Sequence, residues 1–296
     1  MNRRELFRIS SAMGLAAALP AAAAAATRAA APAAPLQPPA SGPIPVAFVI
    51  SDGAVVIDFA GPWEVFSNVK AAGCDSGSSF QLYTVAATPD PITASGGMSV
   101  VPNYTIANAP TPKVIVIPAQ SARDPKLLAW IREAARTADL TMSVCTGATV
   151  LARTGLLAGK SATTHHGAFN EFAMQFPDVK LKRGARFVEE GNLASAGGLS
   201  SGIDLALRVV ERYFGRTVAR NTANVLEYQG QGWLDPMSNS VYAKRRVSTD
   251  QQPVCPVCEM DVDNRTSLTS LYRKRKYYFC MKECKATFDA SPASFT

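Results

Sequence analysis

Short apolar runs alternate with amphipathic segments between residues 44 and 230. The run KVIVIPA at 113–119 is apolar on both faces, which is typical of a central parallel strand. A helix is predicted over 124–138, with Asp124 as its N-cap and Pro125 at its first position. Strands that alternate with helices predict an α/β domain whose mostly parallel sheet is covered on both faces. The other predicted strands are 45–50, 80–86, 140–144, 161–165 and a hairpin over 186–196, and the other helices are 58–70, one ending near 155, 167–176, 203–214 and 217–228.

The pattern fades after residue 230. Residues 231–253 have little periodicity and several turn-forming residues, which favours a linker. The last segment, 254–296, is too short for a self-sufficient core and needs a metal or disulfides to be stable. The sequence therefore predicts two folded parts, one at 44–230 and a smaller one at 254–296.

The first residues have the features of an export signal. Arg3 and Arg4 lie in a twin-arginine pattern, RRELFR, followed by a weakly apolar, alanine-rich stretch and small residues suited to cleavage. We expect a twin-arginine signal peptide over 1–28, an Ala/Pro-rich tether over 29–43 and a periplasmic location. A membrane anchor is the alternative, although Ser10, Ser11 and Pro20 disfavour a membrane span.

The positive charge is confined to the two ends of the chain. The net charge is +7, but residues 29–240 carry 16 basic and 16 acidic side chains and are neutral. The main domain therefore has no excess of positive charge for nucleic acid, and we expect no such partner.

Cys145 lies where a predicted buried strand turns into a helix, in the sequence MSVCTGA. Such a turn would lift the thiol out of the sheet and expose it. The N–H groups and dipole at the start of the helix would lower the thiol pKa and stabilise a developing negative charge. A buried, inert cysteine is the alternative from the local sequence alone.

Four segments resemble one known family. They are SVCTGATVLARTGLLAGKSATTH at 143–165, DFAGPWEVF at 58–66, the glycine-rich stretch at 191–207 and LEY at 226–228. In this order they resemble isonitrile hydratases, within the ThiJ/PfpI branch of class I glutamine amidotransferase-like folds, over roughly 44–230. The resemblance implies a flavodoxin-like sandwich, often a homodimer, that acts on a small-molecule substrate without a cofactor.

The resemblance also implies roles for three residues. Cys145 matches the nucleophile, Thr146 its essential neighbour and Asp58 the acidic partner. The thiolate would attack an isonitrile carbon with Asp58 as the proton donor, and the thioimidate would take up water and collapse to an N-substituted formamide. A helix N-cap is the alternative role for Asp58.

Two positions need comment beside this resemblance. The family usually has Pro-Gly-Gly after the third strand, whereas this chain has Pro118-Ala119-Gln120, which puts the usual oxyanion geometry in doubt. His165 and His166 are the only histidines; His165 either orients the thiolate or a water, or is structural. Cys74, in a predicted loop, is interpreted as an incidental thiol.

The four remaining cysteines lie close together in the sequence. Cys255-x2-Cys258 and Cys280-x3-Cys284 form two pairs separated by 21 residues, a pattern that fits a tetrahedral Zn or Cu(I) site, with disulfides as the alternative. The sequence CPVCEMDV…YYFCMKECKATF…SPASF resembles the YHS domain, a metal-associated module, over 254–296. Glu259 stands where that module usually has glycine.

Three functions remain open from the sequence. The first is an exported hydratase that acts on isonitriles or similar small electrophiles. The second is a non-catalytic periplasmic protein for metal handling or sensing on a ThiJ/PfpI scaffold. The third is another small-molecule activity of the same family, such as glyoxal hydration or amide hydrolysis.

Overall fold

A computed structural model describes residues 33–71, 79–249, 251–263, 265 and 267–296. The expected signal peptide at 1–28, the first residues of the tether and Cys74 lie outside the described residues. Within them, no helix is both long enough and apolar enough to span a membrane.

The structure contains thirteen strands and seven α-helices in the described residues. The strands are β1 Ile44–Val49, β2 Phe80–Ala86, β3 Ile92–Thr93, β4 Ser99–Val100, β5 Tyr104–Thr105, β6 Val114–Ile117, β7 Leu140–Val144, β8 Ser161–Ala162, β9 Lys180–Leu181, β10 Phe187–Glu190, β11 Leu193–Ala196, β12 Leu268–Tyr272 and β13 Arg275–Phe279. The helices are α1 Val56–Ser67, α2 Pro125–Ala134, α3 Gly147–Arg153, α4 Phe169–Gln175, α5 Ser201–Phe214, α6 Arg216–Val225 and α7 Lys282–Ala290.

The main sheet has seven strands in the order β10-β11-β7-β6-β1-β2-β5. All neighbouring strands are parallel except β10 and β11, which form the predicted antiparallel hairpin. This arrangement confirms the prediction of a flavodoxin-like α/β sandwich with a mostly parallel sheet. The predicted cap of α2 is also present, since the Asp124 side chain accepts a hydrogen bond from the Lys126 N–H.

Helices bury both faces of the sheet. In β6, Val114 and Val116 join the core formed with α1, α5 and α6, whereas Ile115 and Ile117 join the core formed with α2, α3 and α4. Successive side chains of a strand point to opposite faces, so a strand that is buried on both sides needs mostly apolar residues. The fully buried VIVI of β6 satisfies this requirement.

The predicted strand at 161–165 is shorter than expected. Only Ser161–Ala162 forms β8, which pairs with β9 outside the main sheet. Beyond it, the Thr163 N–H donates to the Ser195 hydroxyl, and the Thr164 hydroxyl donates to the Cys145 carbonyl. Side-chain hydrogen bonds thus replace strand pairing and lead this segment towards Cys145.

The segment expected to be a linker, 231–253, begins as part of the α/β domain. Trp233 is 4% exposed and lies in the main core, and its backbone N–H donates to the buried Asp204 carboxylate. The Arg186 N–H donates to the Pro236 carbonyl. The start of this segment is therefore packed against the domain, because an isolated tryptophan supplies the apolar surface that periodicity does not reveal.

The C-terminal part consists of the β12–β13 hairpin followed by α7. Its small core contains the buried Phe279 and Phe288, with Tyr272 and Tyr277 packed against them. The four cysteines lie beside this core.

Candidate active site

Cys145 occupies a sharp turn between β7 and α3. Its φ of +58° is in the left-handed region, which is unfavourable for residues other than glycine. The Cys145 N–H donates to the Gly197 carbonyl at 2.8 Å, and this bond holds the strained turn against the end of β11. Backbone strain at a residue held in this way is common at functional sites.

Gly147 allows α3 to approach the sheet closely. A Cβ atom at this position would lie 2.2 Å from the Ile117 carbonyl oxygen and 2.8 Å from that of Pro118. The start of α3 therefore packs directly on the backbone at the end of β6. Only glycine fits this contact, which fixes the position of the neighbouring Cys145.

The Cys145 thiol is less exposed and less acidic than the sequence predicts. The residue is only 6% exposed, so the expectation of an exposed thiol is wrong. Burial, followed by the nearby Asp58 carboxylate, raises the thiol pKa to about 11. Hydrogen bonds from the Thr146 N–H at the start of α3, from the Leu199 N–H and from the Thr146 hydroxyl lower the pKa, but their effect is smaller. The thiol is therefore protonated at neutral pH.

Asp58 lies inside α1 and is completely buried. One carboxylate oxygen accepts a hydrogen bond from the Ala119 N–H at 3.0 Å, and the other has no partner among the described residues. Burial raises the pKa of Asp58 to about 6, against the lowering effect of the Ala119 bond. The N-cap alternative is wrong, because Val55 occupies the N-cap of α1.

The residues that replace the usual Pro-Gly-Gly have other partners. The Ala119 N–H binds Asp58, as described above. The Gln120 amide donates to the Val49 carbonyl at 2.8 Å and accepts a hydrogen bond from the Ser51 hydroxyl at 2.7 Å. Pro118-Ala119-Gln120 therefore supports the Asp58 carboxyl and the end of β1.

A cavity of about 170 Å³ lies near Cys145, which is not itself among the residues that line it. Thr164 and Leu199, which both hydrogen-bond Cys145, form part of its wall. Asn239 and Tyr242, from the segment predicted as a linker, also line it and were missed by the sequence analysis. The full lining is Thr164, His165, His166, Phe169, Arg186, Gly198, Leu199, Ser200, Ser201, Asn239 and Tyr242.

His165 contributes a neutral imidazole to the cavity wall. Its Nδ1 accepts a hydrogen bond from the Gly167 N–H at 3.1 Å, which places the proton of the neutral ring on Nε2. Burial lowers the pKa of His165, and the neighbouring His166 lowers it further. A Cβ atom on Gly198 would lie 2.8 Å from the His165 ring, so this glycine makes room for the imidazole.

A largely buried ion pair supports another part of the cavity wall. Arg186 Nε donates to Asp204 at 2.6 Å, and the same guanidinium group donates to Asn239 and to the Ser200 hydroxyl. The Tyr228 hydroxyl donates to Asp204 at 3.0 Å. These contacts join α5, β10 and the segment after α6, and sequence patterns did not indicate them because the partners are far apart in the chain.

The four cysteines of the C-terminal part can hold a metal ion. The Sγ atoms of Cys255, Cys258, Cys280 and Cys284 all lie within 4.8 Å of one another. The Sγ atoms of Cys258 and Cys280 are 3.2 Å apart, and none of the described cysteines forms a disulfide. A hydrogen bond from the Cys258 thiol lowers the pKa of Cys255. A compact set of four soft donors fits the tetrahedral coordination of Zn²⁺ or Cu(I).

The fold and the candidate site together define a class of α/β proteins with a cysteine on a strained strand-to-helix turn beside a buried carboxyl group. The profile of the DJ-1/PfpI family matches residues 45–212, which is more than half of the chain. The protein therefore belongs to the DJ-1/PfpI family.

Three relatives illustrate the range of this similarity. Isonitrile hydratase of Pseudomonas putida is 31% identical over 188 residues, covering 62% of this chain and 78% of its own. The HTH-type transcriptional regulator CdhR of Pseudomonas aeruginosa is 25% identical over 227 residues, covering 73% of this chain and 66% of its own. The crystal structure of a ThiJ/PfpI family protein from Pseudomonas syringae aligns with a TM-score of 0.57 and 26% identity, covering 64% of this chain and 77% of that one.

Proposed function

We propose that the protein is a cysteine-dependent hydratase that converts isonitriles, or similar small electrophiles, to N-substituted formamides. The observation that carries this proposal is the pairing of Cys145 with a buried Asp58 carboxyl that has one oxygen without a partner among the described residues. The 31% identity to an isonitrile hydratase supports the same reaction class.

The pKa directions suggest how protons move in the first step. At neutral pH the Cys145 thiol is protonated and most of Asp58 is ionised. Asp58 takes the thiol proton as sulfur bonds to the terminal isonitrile carbon, and then delivers that proton to the same carbon. The product is a thioimidate, R–N=CH–S–Cys145, which contains every atom of the thiol and the isonitrile.

The second step restores the thiol. Water adds to the thioimidate carbon, the carbon–sulfur bond breaks, and R–NH–CHO leaves while the proton returns to sulfur. The Thr146 and Leu199 N–H groups, which bond to Cys145 sulfur, stabilise the negative charge that forms there. We propose Thr146 as the residue that also positions the water through its hydroxyl group.

The remaining parts of the proposal concern location and assembly. We propose that the protein is exported to the periplasm by the twin-arginine signal and forms a homodimer through the α/β domain. We propose that residues 254–296 form a YHS-like module in which the four cysteines bind Zn²⁺ or Cu(I), with thiolates supplying all of its ligands.

Metal handling without catalysis is the second candidate function. It is favoured by the four clustered sulfur atoms, which form a separate group from Cys145. In this case the α/β domain would bind a ligand without converting it.

One experiment separates the two candidates. The purified protein is incubated with a simple alkyl isonitrile, and formamide is followed by NMR with wild type, Cys145→Ala and Cys284→Ser. Formamide production that is abolished by Cys145→Ala and retained by Cys284→Ser supports the hydratase. No turnover by any variant, with one metal per chain retained in Cys145→Ala, refutes the hydratase and supports metal handling.

A further inference from the structure

Glu259 connects the cysteine cluster to the α/β domain. It follows Cys258 directly, its N–H donates to the Cys255 carbonyl at 2.8 Å, and its φ is +60°. This left-handed backbone explains why glycine is usual at the position in YHS domains. Glu259 adopts this conformation although it is unfavourable for residues other than glycine, and its carboxylate lies where a glycine would have no side chain.

The Glu259 carboxylate contacts Arg183 of the α/β domain. Arg183 Nη1 lies 3.1 Å from Glu259 Oε1, and the two side chains are only 22% and 14% exposed. Arg246 fixes the same residue from the other side, since its Nη1 donates to the Glu259 carbonyl at 2.8 Å. The ion pair is thus largely shielded from solvent, and Glu259 is also held by Arg246 of the segment that precedes the cysteines.

Arg183 in turn contacts the wall of the cavity beside Cys145. Its guanidinium carbon lies 5.2 Å from the centre of the Phe169 ring, and its Nη2 donates to the Asn170 side chain. Phe169 is buried and lines the cavity, and both residues belong to the first turn of α4. Arg183 therefore holds the start of α4, directly after the histidines that also line the cavity.

We propose that Glu259 and Arg183 are positioning residues that couple metal binding by the four cysteines to the wall of the cavity beside Cys145. With metal bound, the cysteine pairs are held together and Glu259 keeps Arg183 on Phe169. Without metal, the two cysteine pairs are no longer joined, and the turn at Cys258-Glu259 can move away from the α/β domain. Arg183 then loses the partner of a largely buried charge, so it turns towards water and leaves Phe169.

The inference rests on the proposed function only in treating the cavity as the substrate site, and the measurement that decides it does not use turnover. The test measures the rate at which iodoacetamide alkylates Cys145, resolved by peptide mass spectrometry, in full-length protein loaded with zinc or stripped with a chelator. We expect stripping to raise the wild-type rate about fivefold, at the low end of typical coupling between two sites.

Two variants and one control test the connection. Glu259→Ala keeps the unfavourable left-handed backbone but has no carboxylate. We therefore expect Cys145 to be alkylated at the faster rate even with zinc present, with little further change when zinc is removed. Arg183→Met removes the guanidinium without touching the cysteine cluster and should behave in the same way. Asp289→Asn removes a carboxylate of an exposed ion pair with Lys285 on α7, and should respond to stripping as wild type does.

Zinc content is measured for each variant, so that Arg183→Met decides the result if Glu259→Ala loses metal. A wild-type rate in zinc-loaded Arg183→Met, or equal acceleration by stripping in Arg183→Met and wild type, would overturn the coupling. If the coupling holds, KM for an isonitrile should rise in both variants with kcat little changed. Absence of turnover in wild type would refute the hydratase while leaving the alkylation result intact.

Discussion

Gly147→Ala tests the packing that positions the Cys145 thiol. The new Cβ would lie 2.2 Å from the Ile117 carbonyl oxygen, whereas ordinary contacts begin at 3.4 Å, so α3 and β6 must separate by about 1 Å. Both contacting groups are backbone atoms in the core of the domain and have no rotamer to change. We expect a loss of about 3 kcal/mol in the free energy of unfolding, at the upper end of typical overpacking costs.

The assay is thermal and urea unfolding followed by circular dichroism. For a domain of this size, the expected loss lowers Tm by roughly 6–12 °C. Gly191→Ala is the matched control, because its Cβ meets no atom within 4 Å but its φ of +69° makes the backbone unfavourable for alanine. That variant should lose only about 1 kcal/mol.

The result that would refute the reasoning is equal destabilisation by the two substitutions. Equal values would mean that α3 moves away from the sheet without cost, and that the close contact does not fix the turn. Formamide production provides a second measurement, since a displaced Cys145 should turn over more slowly in Gly147→Ala than in Gly191→Ala.

Three further outcomes follow from the structure. Burial raises the folded-state pKa of Asp58 from 3.8 to about 6. The stabilising contribution of this carboxyl group is therefore present below pH 3.8 and is lost as the pH rises through 6. Urea unfolding should show that wild type loses about 2 kcal/mol relative to Asp58→Asn between pH 4 and pH 8. Trp233→Ala should lower the free energy of unfolding, measured in urea, by about 3–5 kcal/mol. Val247→Ala, in an exposed part of the same segment, should leave it unchanged. An unchanged value for Trp233→Ala would contradict packing of this segment in the core. When zinc is removed by a chelator, residues 254–296 should become sensitive to proteolysis before the α/β domain does. The reason is that the four cysteines are the main constraint on so small a core. Unchanged resistance to proteolysis would argue against a structural metal.

Much of the fold was predictable because its strands are short, apolar and regularly spaced. The strands at Phe80–Ala86 and Leu140–Val144 match their predicted bounds, and the hairpin turns where Glu190-Gly191-Asn192 indicated. Local periodicity determines such elements, since each strand must bury both of its faces. The edge strand Tyr104–Thr105 has only two residues and gives no such signal.

The roles of Cys145, Asp58 and Thr146 stay predictions, and the sequence did not indicate the electrostatics of the candidate site. The turn at Cys145 follows from the strand and the small residues after it, whereas the burial of the thiol depends on the packing around the finished turn. The same limit applies to the cavity. Asn239 approaches Arg186 through contacts across 53 residues, which no local pattern encodes.

The segment after α6 lies outside the part of the chain that matches the DJ-1/PfpI family. The family match ends at residue 212, so it includes Cys145 and Asp58 but excludes Asn239 and Tyr242 of the cavity wall. Relatives that share Cys145 and Asp58 can therefore differ in the shape of the cavity. If the protein is the hydratase proposed above, exchanging residues 231–242 with those of a relative should change which isonitriles are accepted and leave the reaction the same.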